Sequence, residues 1–384
     1  MHSPVCRRLA VALVSLALAH IIPSVADAAT LEPAVPIDPI EGILSAFEAH
    51  DLVTLGEGAH NNEQAHAFRL QLIRDPRFAQ VVDDIVVESG NALHQDVMDR
   101  FVRGENVPQA HLRRVWQDTT VANPAWDVPI YEAFFRAVRE LNVALPADRR
   151  VRVLLGDPPI DWARVDNRDE WLKWLAQRDT YPSELIAREV VAKRRKALVI
   201  YGDGHLMRKN VFWGLSNRAL AEERFKRPLN SLAVLLERSG ARVFSVYTNT
   251  RSDLATVQPD IASWPAPKLA IVAGTVLDRF HPWQTYIMVD PSKGIEEKAG
   301  ADPERSSPMS EQFDAILYLG PPSSITMSKL PVALCDDAEY VRMRAHRARV
   351  AALPAVAEQA ATFVERECKA LRADATGSPP SRPL

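Results

Sequence analysis

At 384 residues, with 47% hydrophobic and 25% charged side chains, the chain has the composition of a globular protein of one large domain or two small ones. A formal net charge of -3 gives no basis for a nucleic-acid or polyanion partner. The basic run Lys193-Arg194-Arg195-Lys196 reads as a solvated helix end rather than a binding patch.

The amino terminus has the form of an export leader. Arg7 and Arg8 precede the apolar stretch Leu9 to Ile22, and Ala26-Asp27-Ala28 gives a small-x-small cleavage pattern. No cysteine lies beside that site, so a lipid anchor is not expected. The apolar stretch is short for a membrane span, and no later run approaches the ~18 apolar residues a span needs. The expectation is a signal peptide over residues 1–28, a periplasmic or secreted mature protein starting near Ala29, and no stable membrane insertion. Cys6 leaves with the leader. Cys335 and Cys368 remain, and sequence alone leaves open whether they are bridged.

After a proline-rich arm over 30–40, a short helix is predicted over Ile40 to Phe47. A first strand, Leu52–Leu55, breaks at Gly56 and Gly58, and a helix restarts behind Asn61 or Asn62 and runs to Arg74, with Ala65, Phe68 and Leu72 on one face. Asp75-Pro76 ends it. A second strand, Asp84–Glu88, closes on a carboxylate followed by Ser89-Gly90. Residues 91–146 then read as a helical insertion, with helices over Leu93–Val102 and Ile130–Leu141 and an irregular aromatic stretch from Val115-Trp116 to Trp126-Asp127. Such an insertion suits a lid or a substrate wall.

A third strand, Val151–Leu155, runs into Gly156-Asp157. A helix over Tyr181 to Lys196 follows Arg178-Asp179, and a fourth strand, Ala197–Tyr201, runs into Gly202-Asp203-Gly204-His205. Beyond these, a helix is predicted over Leu232–Arg238 and strands over Arg242–Tyr247, Leu269–Val272, Thr285–Val289 and Ala315–Leu319. The α/β domain is bounded at 29–330. The remaining 331–384 are read as a terminal helix over 335–370 and a disordered tail over 374–384. The fold class is α/β, with a mostly parallel central sheet flanked by helices and a helical insertion after the second strand.

Four predicted strand ends thus carry Glu57 with His60, Glu88, Asp157, and Asp203 with His205. Singly, each is more often a cap, a loop residue or a structural histidine. Jointly they converge, because the carboxyl ends of parallel strands lie along one edge. Two chemistries fit. His60 can act as a general base on water, with a carboxylate such as Glu88 orienting the ring or stabilising its charged form and His205 binding or polarising a carbonyl. Alternatively Glu57, His60, Glu88 and His205 can hold a divalent ion as Lewis acid, though no H-E-x-x-H helix supports that. No G-x-S-x-G elbow, P-loop, dinucleotide fingerprint or Cys-x-x-Cys occurs. His66, His94, His111, His281 and His346 lack an acidic strand end and read as structural or surface groups. Trp116, Trp126, Tyr131, Phe134 and Phe135 suit a core, or a pocket for an apolar or planar ligand. Arg178 is a candidate anchor for a substrate anion.

These residues carry a resemblance. Leu55-Gly56-Glu57-Gly58-Ala59-His60 with Glu63 is similar to the opening signature of the erythromycin esterase-like and haem-uptake ChaN-like superfamily, with the TraB and TIKI metalloproteases as more distant relatives. Glu88, Arg178-Asp179, Gly202-Asp203-Gly204-His205 and the stretch Phe313 to Pro321 resemble later landmarks of that group, spread over about Leu52 to Thr326. The resemblance implies an α/β core with a polar cleft. In its esterase branch, residues matching Glu57, His60, Glu88 and His205 serve metal-independent water activation. Its other branches bind haem or depend on a metal.

The expected activity is therefore hydrolysis of an ester, lactone or amide. Glu57, His60, Glu88 and His205 would be catalytic, and Glu63, Asp157, Arg178 and Asp203 would bind a small-molecule substrate. No cofactor is expected in that case. A haem- or other planar-ligand-binding protein, a metal-dependent hydrolase on the same residues and an inactive relative are the alternatives.

Overall fold

The computed structural model describes residues 31–209, 230–249, 256–280, 286–290, 294–298 and 307–375. The expected leader over 1–28 and the predicted tail beyond 375 lie outside them. No helix among the described residues is long and apolar enough to cross a membrane.

The chain is α/β. Seven strands form one sheet: β1 (Leu52–Gly56), β2 (Asp84–Asn91), β3 (Arg152–Asp157), β4 (Ala197–Tyr201), β5 (Val243–Thr248), β6 (Lys268–Ile271) and β9 (Ala315–Tyr318). Their order is β3-β2-β4-β1-β5-β9-β6. All pairings are parallel except β6 against β9. The stretch expected as a strand near Thr285–Val289 is β7 (Tyr286–Asp290), which pairs only with β8 (Gly294–Lys298) in a separate hairpin. Strand β4 lies between β1 and β2, so the chain reverses direction of travel across the sheet. That places a crevice at the carboxyl ends of these central strands, where α/β sheets bind ligands.

The central strands are buried on both faces, as parallel strands covered by helices must be. Val53, Leu55, Ile85, Val87, Val153 and Leu155 face one apolar layer. It is built from the helices Pro39–Ala46 and Glu63–Arg74 and from three insertion helices, Gln95–Val102, Gln109–Gln117 and Pro129–Val143. Leu52, Val86, Leu154 and Val199 face the opposite layer, which includes the helices Thr180–Ile186 and Leu232–Arg238. The insertion helices therefore complete the sandwich. Only the irregular stretch 118–128 between two of them is left to act as a wall of the crevice.

Three expectations about local structure need correction. Strand β2 does not stop at Glu88 but continues to Asn91, with an irregular register against β3 between Val87 and Asn91. A bulge of this kind re-aims a side chain inside a strand. The helix expected over Tyr181–Lys196 is α-helical only over Thr180–Ile186, then passes through a π-turn at Ala187–Val191. The terminal helix expected over 335–370 is broken, chiefly into Ala338–Ala351 and Phe363–Ala375. Pro354 enforces the break, because the residue before a proline is driven out of the helical region. Cys335 and Cys368 are bridged, with their Cα atoms 5.4 Å apart.

These C-terminal helices dock on the 118–128 stretch through buried charge. Arg344 grips Asp127 with two hydrogen bonds, at 2.8 and 2.5 Å, and the Tyr340 hydroxyl donates to the same carboxylate. Arg347 donates to Asp118 Oδ1 at 2.5 Å and to the Gln117 carbonyl at 2.5 Å. Asp118 also meets His94 and Arg114, so His94 is structural, as expected.

Candidate active site

The site begins in the turn after β1. Gly58 has φ 64° and Asn61 φ 72°. Glycine takes that left-handed conformation freely, and asparagine tolerates it. Asn62 then caps the helix Glu63–Arg74, its side chain accepting from Ala65 N–H at 3.0 Å. This double reversal folds His60 back over Glu57. His60 Nδ1 lies 2.9 Å from Glu57 Oε2, and the other oxygen of Glu57 accepts from Arg69 Nη1 at 2.7 Å. Glu57 and Arg69 are buried, whereas the His60 side chain is 39% exposed, so water reaches the imidazole. With Nδ1 committed to Glu57, Nε2 has no hydrogen-bond partner among the described residues. Trp126 packs edge-on against the His60 ring at 4.4 Å, and Tyr131 packs edge-on against Trp126 at 5.0 Å.

A second cluster surrounds Glu88. Its Oε2 accepts from Gly202 N–H at 2.7 Å, and its Oε1 receives Arg178 and, at 3.3 Å, His205 Nε2. His205 Nδ1 lies 2.7 Å from Asp179 Oδ1, which also accepts from Leu232 N–H at 2.9 Å. Glu88 is therefore held by Arg178 and His205 and makes no hydrogen bond to His60; of the two roles expected of it, orienting the ring and stabilising its charged form, only the second has a physical basis, in its nearby charge. Both nitrogens of His205 are engaged by carboxylates, leaving neither for a substrate carbonyl. Burial disfavours the charged form of His205, but Glu88 and Asp179 outweigh it and push its pKa up to about 9. Both carboxylates thus favour its imidazolium form. Burial likewise pushes Glu88 up, and the charges of His205 and Arg178 overcome it and hold the carboxyl well below the usual carboxylate range.

The two clusters meet at Gly202. A Cβ built there would stand 3.0 Å from His60 Cε1 and 3.3 Å from Glu88 Oε2. The missing side chain is what lets the imidazole and the carboxylate share one space. Burial opposes charge on His60, but the Glu57 hydrogen bond and the nearby Glu88 charge raise its pKa above the ordinary histidine value.

The other expected site residues divide. Asp157 is buried and accepts from Thr120 N–H at 2.7 Å and Thr120 Oγ1 at 2.6 Å. Burial pushes its pKa up to about 7 against the pull of Arg178, which therefore faces both Asp157 and Glu88. Asp203 is buried behind Gly56 and accepts from Thr248 N–H at 3.3 Å. Glu63 is exposed and accepts from Thr326 Oγ1 at 2.6 Å, fastening that loop to the helix start. Asp203 thus backs the turn after β1, and Glu63 fixes the start of the helix that follows it. Arg69 was missed as a site residue, as was Asp179 as the partner of His205.

One ligand atom each from Glu57, His60 and Glu88 lies within 4.8 Å of the others, the geometry of a possible cation site. His205, the fourth residue expected in such a set, is not among them. All four carboxylate oxygens of Glu57 and Glu88 already accept from an arginine, a histidine or a backbone amide. Two arginines also add positive charge to the site. The donor set is not an open cage for a dication.

A cleft of about 700 Å³ opens beside this site, between Val121–Asn123, the helix Arg168–Leu175 and the C-terminal helices, with Arg178 in its wall. A second, of about 470 Å³, runs past Asn61, Pro124 and Lys329.

No family model and no curated protein matches the chain. Among solved structures, it is similar to a Bacillus cereus protein at 11% identity and TM-score 0.46, covering 78% of this chain and 96% of that one. It is also similar to an erythromycin esterase mutant in its open conformation, at 12% identity and TM-score 0.42, covering 76% and 94%. A third similar structure is the haem-binding protein ChaN of Campylobacter jejuni, at 13% identity and TM-score 0.35, covering 56% and 86%.

Proposed function

We propose that the protein is an exported hydrolase of a carboxylic ester or lactone, with His60 as the general base. The observation that carries this reading is the Arg69–Glu57–His60 relay. It fixes Nδ1 of a water-accessible imidazole and leaves Nε2 free beside Glu88 and Gly202. His60 Nε2 takes a proton from water as the water oxygen attacks the carbonyl carbon. Glu57 stabilises the imidazolium that forms, without itself accepting the proton. The tetrahedral intermediate expels the alkoxide, which recovers the proton from Nε2, giving acid and alcohol. Arg178 is the cation placed to stabilise the developing oxyanion. Glu88 positions Arg178 and His205. The leader and the Cys335–Cys368 bridge support a periplasmic or secreted location, where disulfides persist.

The metal-dependent alternative meets a donor set whose carboxylate oxygens are already used. Hydrolysis of a p-nitrophenyl ester should therefore survive exhaustive dialysis against a chelator, and added zinc should not raise it. Loss on chelation with recovery on zinc would move the protein to the metallohydrolase reading. The haem alternative finds no imidazole, thiolate, thioether or phenol among the residues lining the 700 Å³ cleft. Titration with haemin should give no shifted Soret band.

The pH dependence follows from His60. The base must be neutral, so kcat/KM for a neutral ester should rise with pH and level off above the pKa of His60. That midpoint should lie above the ordinary histidine value, because Glu57 and Glu88 favour the imidazolium. Glu57→Gln removes one of those charges and should move the midpoint down. A midpoint that stays put in Glu57→Gln would show that His60 does not set the profile.

A further inference from the structure

The same site opens onto a surface that the relay does not explain. The cleft of about 700 Å³ falls within the 300–1,000 Å³ typical of small-molecule pockets. Its wall is mostly aliphatic and aromatic. Val121 and Leu175 lie on one side, and Ala352, Val356 and Phe363 on the other. Val356 and Phe363 remain 46% and 39% exposed, and the nearby Leu353 59%. Apolar side chains grouped on the lip of a concave surface mark a place where something apolar binds.

The inner end has different chemistry. Arg178 lines the cleft and at the same time donates to Glu88, whose carboxylate shares the space beside Gly202 with His60. One guanidinium therefore links the apolar channel to the proposed reacting centre. A ligand filling both places is an amphiphile, polar at the Arg178 end and apolar along the cleft. The alanines at 348, 351, 352 and 360 leave a groove on the C-terminal helices where larger side chains would fill it.

We infer that the substrate is an ester carrying an extended apolar acyl chain, with its carbonyl at Arg178 and His60 and its chain along the groove between Leu175 and the C-terminal helices. This rests on the proposed hydrolase reading and names its substrate class. The Cys335–Cys368 hairpin then forms one wall of the acyl site.

The test is a chain-length series of p-nitrophenyl esters, from acetate to decanoate, on the full mature chain, with binding of free decanoate measured by calorimetry. Burial of each added methylene should raise kcat/KM by about fourfold until the groove is filled. Val356→Asp puts a charge at an exposed position of the lip, so folding is not at stake. It should lower the decanoate-to-acetate ratio of kcat/KM by on the order of tenfold or more. Ala352→Trp should shorten the preferred chain. Free decanoate should bind wild type and bind Val356→Asp more weakly. A flat chain-length series, with acetate turned over normally, would overturn the acyl-chain inference and leave the hydrolase standing. No turnover at any length would overturn the hydrolase. Decanoate binding that survives in that case and weakens in Val356→Asp would keep the groove as an amphiphile site, and its absence would remove that too.

Discussion

Replacing Arg344 by methionine should destabilise the protein by about 3–5 kcal/mol, the cost of leaving a buried partner charge alone. Arg344 is 1% exposed and Asp127 lies wholly inside. The guanidinium meets both carboxylate oxygens, and the Tyr340 hydroxyl meets one of them. Removing the cation strands Asp127 where water cannot reach it. The measurement is urea unfolding of Arg344→Met against wild type, beside the double variant Arg344→Met, Asp127→Leu. The double variant should recover most of the loss, because an apolar pair of similar size avoids desolvating two charges. A loss below about 1 kcal/mol would place Arg344 among ordinary surface pairs and undo the docking of the C-terminal helices described above. The substitution should also weaken ester turnover, since Asp127 follows the Trp126 that packs on His60.

That docking illustrates what a sequence hides. Tyr340, Arg344 and Arg347 lie four and three residues apart on one helix face, which reads as a solvated stripe. It is buried because Asp127, 217 residues before Arg344, supplies the compensating charge. Nothing local encodes so distant a pairing. The parallel sheet was legible because β1 to β4 are short apolar runs closed by glycine and an acid, and the convergence of Glu57, Glu88, Asp157 and His205 follows from parallel strand ends alone. Which of them touch was not legible. Glu88 sits where β2 loses its register against β3, and its hydrogen bonds and ion pairs go to Gly202, Arg178 and His205, while it shares the space beside Gly202 with His60 without bonding to it. Arg69 did leave a signal. It sits among Ala65, Phe68 and Leu72 on the buried face of its helix, and a charge on an apolar face calls for a partner. Asp203 and His205, two residues apart, would share a face in a strand, but the short helix Asp203–Leu206 turns them apart.

His60→Ala should lower kcat/KM for an activated ester by about 10²–10⁴, the range a positioned general base supplies. Its side chain is partly exposed and makes one hydrogen bond, to Glu57, so the truncation should cost little stability. The loss should fall mainly on kcat, because the imidazole meets the attacking water rather than the acyl chain. Added imidazole should restore part of the rate through the space vacated beside Trp126. Glu57→Ala makes the useful contrast. It should also lower the rate, but it strands Arg69 at 5% exposure and should lower the unfolding free energy as well. Loss of rate without loss of stability at position 60, and loss of both at position 57, would separate the group that moves the proton from the group that holds it. A His60→Ala protein that keeps wild-type turnover would shift the base to another group. Asp157 would be the next to test, since burial pushes its pKa upward against the pull of Arg178, which faces it across the site.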